Sequence, residues 1–407
     1  MIHPTQKTIG QGAMGADLRH VYGSLEMGRF LAASTVVLYH LIPTLNEEAL
    51  SPSQRVFAGH QFPGILAVQW FFVLSGFVMM TAHGKDFGRI TALPIFWWRR
   101  LSRIYPLYLA ALLVPCSLCF YHQPLWLILL VARHVVILNP TTQTELVAPA
   151  WSLRYEVAFY IMFGACMLPR IGKAILLAWI TAVVAFAFSS AAFRVLGHSE
   201  PHLIVEHTQG RFGHFISSLD LYFFSGLLAG WIVRRCALSC AAALSLISAG
   251  VTGLLLIAPD LGWGTRLGSP GETVVVGLCL AATIAGSAGF ERAAKVDFGS
   301  VARLLGRLSY PIYILHMSIM LLFSEALHNT RLTSLEISVL IVTEVTSIFL
   351  TSFLLDRWLD RPTQAFLRSV PRAISQAVDR AMHSTRRVRL HVSHRVFAGS
   401  TIANLRE

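Results

Sequence analysis

Ten long apolar runs divide this chain, and they constrain its fold more than any other feature of the sequence. A helix needs about 20 apolar residues to cross the hydrocarbon core of a bilayer, where every backbone polar group must be bonded within the chain. The pattern therefore predicts an all-α integral membrane protein with about ten transmembrane helices in a single membrane domain. The runs lie near residues 27–46, 63–82, 103–121, 153–169, 174–193, 214–233, 239–257, 273–290, 309–328 and 334–356.

The composition excludes an ordinary soluble protein, because 55% of the residues are hydrophobic and only 13% are charged. The net charge of +12 suggests a nucleic-acid partner, but the basic residues form short clusters between the apolar runs. That arrangement is typical of cytoplasmic loops under the positive-inside rule, so we expect no nucleic acid. The loop 194–211 contains His198, His202 and His207, which we interpret as a solvated loop rather than a metal site.

The basic clusters also predict the orientation of the chain, because each follows an even-numbered run. Both termini are then cytoplasmic. The apolar stretch 125–138 is too short to span comfortably and contains Arg133 and His134, so we expect an interfacial or re-entrant segment on the outer side. We expect three parts: a flexible cytoplasmic N-terminus (1–24), the membrane domain (25–362) and a basic amphipathic cytoplasmic tail (363–407). Asp360-Arg361-Pro362 is expected to end the last helix.

The first run carries an arginine near its start and a histidine near its far end, Arg29 and His40. On a helix these residues are about three turns apart, so they share a face at a separation of about 16 Å. An ionisable residue inside a span is costly and by default indicates a functional site. An interfacial anchor plus a packed polar histidine explains this helix equally well.

Two arginines, Arg100 and Arg103, precede the third run at i and i+3. On a helix both guanidinium groups point the same way and could hold a phosphate or pyrophosphate. The arginines alone favour the alternative, a positive-inside anchor beside Trp97 and Trp98.

Two further polar residues lie inside apolar runs. Glu156 follows Trp151 and Ser152 at the start of the fourth run and needs a partner, which could be Arg154, Arg133 or an imidazole. His316 lies near the middle of the ninth run. A lone membrane histidine is more often packed and hydrogen-bonded than catalytic.

Five motifs in the same order resemble the membrane acyltransferase 3 family, which includes O-acetyltransferases of bacterial exopolysaccharide and O-antigen. They cover residues 25–362, which are thereby identified as an acyltransferase 3 membrane domain. The motifs are Arg29 with His40, the run Trp70 to Phe77, Arg100 and Arg103 before Ile104-Tyr105-Pro106, Trp151-Ser152-Leu153 with Glu156 and then Phe159-Tyr160, and Ser309-Tyr310-Pro311-Ile312-Tyr313 with His316. The sequence departs slightly from the family, with Glu26 in place of Asp and Asp360 in place of Glu.

The resemblance implies transfer of an acyl group, usually acetyl, from cytoplasmic acyl-CoA to a sugar hydroxyl. The acceptor would be a bacterial exopolysaccharide, an O-antigen or a lipid-linked precursor, and the protein would lie in the cell inner membrane. Acyl-CoA would be a co-substrate, with no bound cofactor. The resemblance assigns catalysis to His40, Arg29 and Glu156, donor binding to Arg100, Arg103 and Tyr105, and further substrate contacts to Ser75, Trp151, Ser152, Tyr310 and His316.

In the mechanism that we predict, His40 is the general base and Glu156 is a candidate to orient it. No appended extracytoplasmic hydrolase-like domain is visible, so the membrane domain would bind the acceptor itself or act with other polysaccharide-synthesis proteins. Membrane lipids would surround it. Two alternatives stay open: a transporter or flippase for a polysaccharide precursor, and a non-catalytic membrane subunit of a synthesis complex. The first predicts an internal repeat, which we do not find in the sequence.

Overall fold

Ten helices form the fold in the computed structural model, which describes residues 22–49, 51–60, 62–122, 137–138, 146–195, 213–264, 269–327 and 330–370. The described residues contain no strand beyond one isolated bridge between Ala49 and Leu332. Each helix matches one predicted run, so the all-α class is confirmed. The helices are α1 (Gly23–Glu47), α2 (Gly64–His83), α3 (Leu93–His122), α4 (Ala150–Ala165), α5 (Gly172–Val195), α6 (Asp220–Arg235), α7 (Cys240–Ile257), α8 (Pro270–Ala294), α9 (Gly299–Ala326) and α10 (Ser334–Leu355).

Seven of these helices are long and apolar enough to cross a membrane, which makes the chain a multi-pass membrane protein. They are α1, α2, α5, α7, α8, α9 and α10. The other three are less apolar or shorter: α3 carries Arg99, Arg100 and Arg103, and α4 and α6 have 16 residues each. A helix of 16 residues is about 24 Å long, somewhat less than the hydrocarbon core.

The directions of the helices follow from the contacts between them. Gly306 of α9 lies beside Glu26, and His316 lies beside His40, so α9 runs parallel to α1. In contrast, Phe96 contacts Phe163 and Arg100 contacts Tyr160, so α3 and α4 are antiparallel. The end of α3 and the start of α4 are therefore on the same side of the bundle. The prediction that 125–138 does not cross requires this arrangement, although residues 123–136 lie outside the described part of the chain.

Helices α2 and α6 approach each other closely through two glycines. A Cβ on Gly76 would lie 2.1 Å from the backbone oxygen of Phe223, and one on Gly226 would lie 1.9 Å from that of Val73. Only glycine permits this distance, and small residues are typical of helix contacts in membranes. The close packing fixes the face of α2 that carries Ser75.

The start of α1 is fixed by a carboxylate from another helix. Glu291 of α8 accepts the N–H groups of Gly23 and Ser24 at 2.8 and 3.0 Å, and the Ser24 hydroxyl at 2.8 Å. A negative group here satisfies free N–H groups and interacts favourably with the helix dipole. The helix is thereby anchored about one and a half turns before Arg29.

The prediction that Asp360-Arg361-Pro362 ends the last helix is wrong. A π-turn at Asp356–Asp360 follows α10, and the helix then continues over residues 361–370. A π-turn changes the hydrogen-bond register and so accommodates a proline, which lacks an N–H group. Asp356 is fully buried, accepts a hydrogen bond from Arg361 Nε at 2.7 Å and forms a salt bridge with Arg361 Nη2 at 2.7 Å. The predicted flexible lead (1–21), the rest of the tail (371–407) and His198, His202 and His207 lie outside the described residues.

Candidate active site

Five helices, α1, α2, α3, α4 and α9, enclose a central cavity of about 300 Å³. Seven of the eleven predicted site residues line this cavity, although they come from distant parts of the sequence. They are Arg29, Ser75, Arg100, Arg103, Ser152, Glu156 and Tyr310. The cavity is also lined by Glu26, Tyr160 and Tyr313.

Three guanidinium groups converge on the central cavity, from Arg29 on α1 and from Arg100 and Arg103 on α3. Arg29 lies 3.4 Å from the carboxylate of Glu26, and Arg100 lies over the ring of Tyr160 at 5.4 Å. The Nε of Arg100 is buried and has no hydrogen-bond partner in the described part of the chain. Three arginines against the two carboxylates that line the cavity leave one net positive charge, so the cavity can accept an anionic ligand.

The carboxylate of Glu156 forms the polar centre of this cavity. Its Oε1 accepts hydrogen bonds from the Ser75 hydroxyl at 3.0 Å and from the Tyr160 hydroxyl. The partner is therefore neither His40, which Glu156 was predicted to orient, nor Arg154. His40 lines a different cavity, so the expected hydrogen bond between Glu156 and an imidazole is absent among the described residues.

A second cavity, of about 230 Å³, contains the two histidines and is called the histidine cavity below. The rings of His40 and His316 are 5.4 Å apart, and Trp151 lines the same space. His316 is fully buried, and its Nδ1 donates a hydrogen bond to the Tyr313 carbonyl at 2.7 Å. In the neutral ring Nε2 is then an acceptor, and it is buried without a partner among the described residues.

The central and histidine cavities share two wall residues, Val68 and Tyr313. The hydroxyls of Tyr313 and Ser152 are 2.6 Å apart, and Ser152 also donates to the Pro149 carbonyl at 3.1 Å. The tyrosine ring packs against Phe71 with a centroid distance of 5.5 Å. The side chains of Tyr313 and Val68 thus lie between the arginines and the histidines.

A third cavity, of about 180 Å³, adjoins the central cavity at its other end and is called the arginine cavity below. It shares Arg103 and Tyr310 with the central cavity, and the Tyr310 hydroxyl donates to the Ile104 carbonyl at 2.8 Å. The remaining charged residues of the arginine cavity come from α9 and from the end of the last helix. They are Arg307, Asp356, Asp360, Arg361 and Arg368. The three cavities therefore lie in series.

The structure separates Tyr105 from the other predicted site residues. Its ring contacts Tyr108 at 6.3 Å, and it lines none of the three cavities. Conversely, Tyr160 was not predicted as a site residue, although it lies one turn after Glu156 on the same helix face. Tyr313 was also missed as a site residue, despite its position three residues before His316.

Comparison with known proteins places the chain in a family. A family model described as an acyltransferase domain, that of acyltransferase 3, matches residues 22–355. Acyltransferase MdmB from Streptomyces mycarofaciens is 35% identical over 113 residues, which cover 25% of this chain and 27% of that protein. Protein 2 in picA locus from Rhizobium radiobacter is 32% identical over 141 residues, 28% of this chain and 73% of that protein. No solved structure matches the chain.

The matched region spans only about a quarter of MdmB, so the likeness to that protein is local. The family model, in contrast, covers all ten helices apart from the continuation beyond Leu355. It includes every predicted site residue. The chain carries an acyltransferase domain and belongs to the acyltransferase 3 family.

Proposed function

We propose that this protein transfers an acyl group, most simply acetyl, from acyl-CoA to a sugar hydroxyl of a bacterial exopolysaccharide, an O-antigen or a lipid-linked precursor. One observation carries the proposal: a cavity with three arginines adjoins a cavity with two histidines, separated by Tyr313. Arginines suit the phosphates of a CoA, and a histidine suits the deprotonation of a hydroxyl.

In the proposed reaction, His40 accepts the proton of the acceptor hydroxyl. The hydroxyl oxygen attacks the thioester carbonyl carbon, the carbon–sulfur bond breaks, and the proton passes from His40 to the departing thiolate. Imidazole has an ordinary pKa near 6.5 and is therefore suited to both proton transfers near neutral pH. His316 packs against His40 and lines the same cavity, and its Nε2 has no partner among the described residues, which makes His316 a second candidate to contact the acceptor.

The proposed orientation places the start of α1, and with it the arginines, at the cytoplasmic face of the bacterial inner membrane. His40 lies about three turns farther along the same helix. A cytoplasmic donor and an acceptor on the far side would then reach the site from opposite ends. Reporter fusions at Thr142 and Gly172 test this orientation, since it requires Thr142 outside and Gly172 inside.

The function is tested by comparing surface polysaccharide from cells with and without the protein by mass spectrometry. Acylation that depends on the protein supports the proposal, and its absence from every surface glycan contradicts it. His40→Gln should reduce acyl transfer by roughly 10²- to 10⁴-fold while the protein still inserts and binds donor. His316→Ala, at matched expression, serves as the comparison. If it abolishes transfer while His40→Ala retains near-normal activity, the base is on α9 instead.

A further inference from the structure

The arginine cavity has a surplus of positive charge that the proposed chemistry at the histidines does not use. Its walls carry four guanidinium groups, from Arg103, Arg307, Arg361 and Arg368, against the carboxylates of Asp356 and Asp360. Four positive and two negative groups leave a net charge of +2. A cavity with such a surplus is a suitable site for a ligand with more than one negative charge.

Besides Arg103, which also lines the central cavity, Arg307 and Arg368 remain available to such a ligand. Arg361 is held by Asp356 through two contacts of 2.7 Å. Arg307 is only loosely paired, since its Nε is 3.9 Å from the same carboxylate and 44% of its side chain is exposed. Arg368 makes no hydrogen bond or salt bridge within the described part of the chain. The buried Oδ1 of Asp356 also lacks a partner there.

The wall that carries Arg368 is docked firmly against the bundle. Gln364 donates to the Ser102 carbonyl at 2.6 Å, and the Trp98 indole donates to the Leu367 carbonyl at 2.6 Å. Both partners belong to α3, the helix that supplies Arg100 and Arg103 to the central cavity. The end of the last helix is thus held in place beside the donor arginines.

We propose, resting on the function proposed above, that the arginine cavity binds the phosphates at the nucleotide end of the acyl-CoA, with Arg307 and Arg368 as phosphate ligands. The arginine cavity joins the central cavity at Arg103 and Tyr310. A CoA is a long molecule with its phosphates at one end and the thioester at the other. With the ribose phosphate in the arginine cavity and the diphosphate at Arg103 and Arg100, the slender pantetheine arm is directed through the rest of the central cavity towards Tyr313. An anionic lipid headgroup offers the same phosphate chemistry, but its acyl chains are apolar and do not suit a cavity lined by Arg29, Arg100 and Glu156.

The test is the double variant Arg307→Gln/Arg368→Gln, purified as the full chain in nanodiscs of neutral lipid. Its affinity is measured for acetyl-CoA and, by competition, for S-acetyl-pantetheine, which lacks phosphates. Each guanidinium–phosphate contact is worth roughly tenfold in affinity, so acetyl-CoA should bind the double variant roughly 10- to 100-fold more weakly. The affinity for S-acetyl-pantetheine should be unchanged.

Arg303→Gln is the matched control, because Arg303 is on the same helix but pairs with Asp297 at 3.6 Å and lines none of the three cavities. A loss of acetyl-CoA affinity smaller than about tenfold relative to this control overturns the assignment. So does an equal loss for both ligands, which would indicate a distorted fold. If the double variant keeps its acetyl-CoA affinity but no longer retains phosphatidylglycerol, the cavity is assigned to lipid instead. If the wild-type protein binds no acetyl-CoA, the proposed function itself fails, which is a distinct result.

Discussion

The hydroxyl of Tyr313 lies 2.6 Å from the hydroxyl of Ser152, in the wall between the central and histidine cavities. This pair joins α9 to α4 at the level where a thioester must meet an acceptor in the proposed reaction. The Tyr313 ring is 7% exposed and packs against Phe71. The size of this side chain therefore limits what can pass between the arginines and the histidines.

Tyr313→Ala should widen the acyl selectivity of the enzyme. Removal of the phenol ring joins the two cavities. The space beside the thioester then becomes large enough for a butyryl group, whereas in the wild type we expect it to fit only an acetyl group. We expect the ratio of butyryl to acetyl transfer to rise, measured by kcat/KM for the two acyl-CoA donors. Tyr105→Ala removes the same side chain outside all three cavities and should leave the ratio unchanged. An unchanged ratio in Tyr313→Ala would contradict the role of the wall.

Arg103→Lys should weaken acyl-CoA binding although it keeps the charge. Arg103 lines both the central and the arginine cavities, where a guanidinium can contact phosphate with two N–H groups at once. Lysine loses this geometry, so we expect a roughly tenfold higher Kd, and a larger increase for Arg103→Ala. Isothermal titration calorimetry of the purified variants measures the Kd for acyl-CoA.

Arg99→Lys is the control for Arg103, because Arg99 belongs to the same basic cluster and is exposed, and lines none of the three cavities. If both lysine variants bind acyl-CoA like the wild type, the arginine cluster is a topology anchor.

Glu156→Ala should destabilise the protein more than Glu156→Gln. Both variants remove the negative charge, but only alanine leaves the hydroxyls of Ser75 and Tyr160 without their acceptor. Loss of a buried acceptor costs about 1–3 kcal/mol, whereas glutamine keeps an oxygen at the same place. Thermal unfolding in detergent should show the lower midpoint for alanine. Equal midpoints would mean that the two hydroxyls find other partners.

Gly226→Ala should loosen the contact between α2 and α6. The new Cβ would lie 1.9 Å from the Val73 carbonyl oxygen, so the helices must separate. We expect a loss of about 3 kcal/mol in stability, seen as a lower unfolding midpoint. Gly271→Ala, in the first turn of α8, meets nothing within 4 Å and should be neutral or slightly stabilising. If both variants unfold at the same temperature, the close packing does not hold these helices together.

The helices were predictable from the sequence because the bilayer imposes a length and an apolar character on each span. The separate placement of Glu156 and His40 was not predictable, since it depends on which helices pack together. Hydropathy identifies a helix but not its neighbours. The same limit applies to Tyr160, whose role depends on Arg100 of another helix. The prediction at Pro362 was wrong for another reason: a proline predicts the end of a helix unless the preceding turn is widened, and hydropathy gives no sign of a widened turn.

Part of the arginine cavity depends on the number of residues in the π-turn at Asp356–Asp360, as well as on the identity of the residues that line it. A π-turn holds one more residue than the α-helical path requires, so every later side chain is rotated by about 100° from its α-helical position. Arg361, Gln364 and Arg368 line the cavity in this rotated register. Deletion of the exposed Trp358 would keep all three side chains in the sequence and turn them to a different face of the helix. Variation in chain length at this turn therefore changes the cavity without a single substitution.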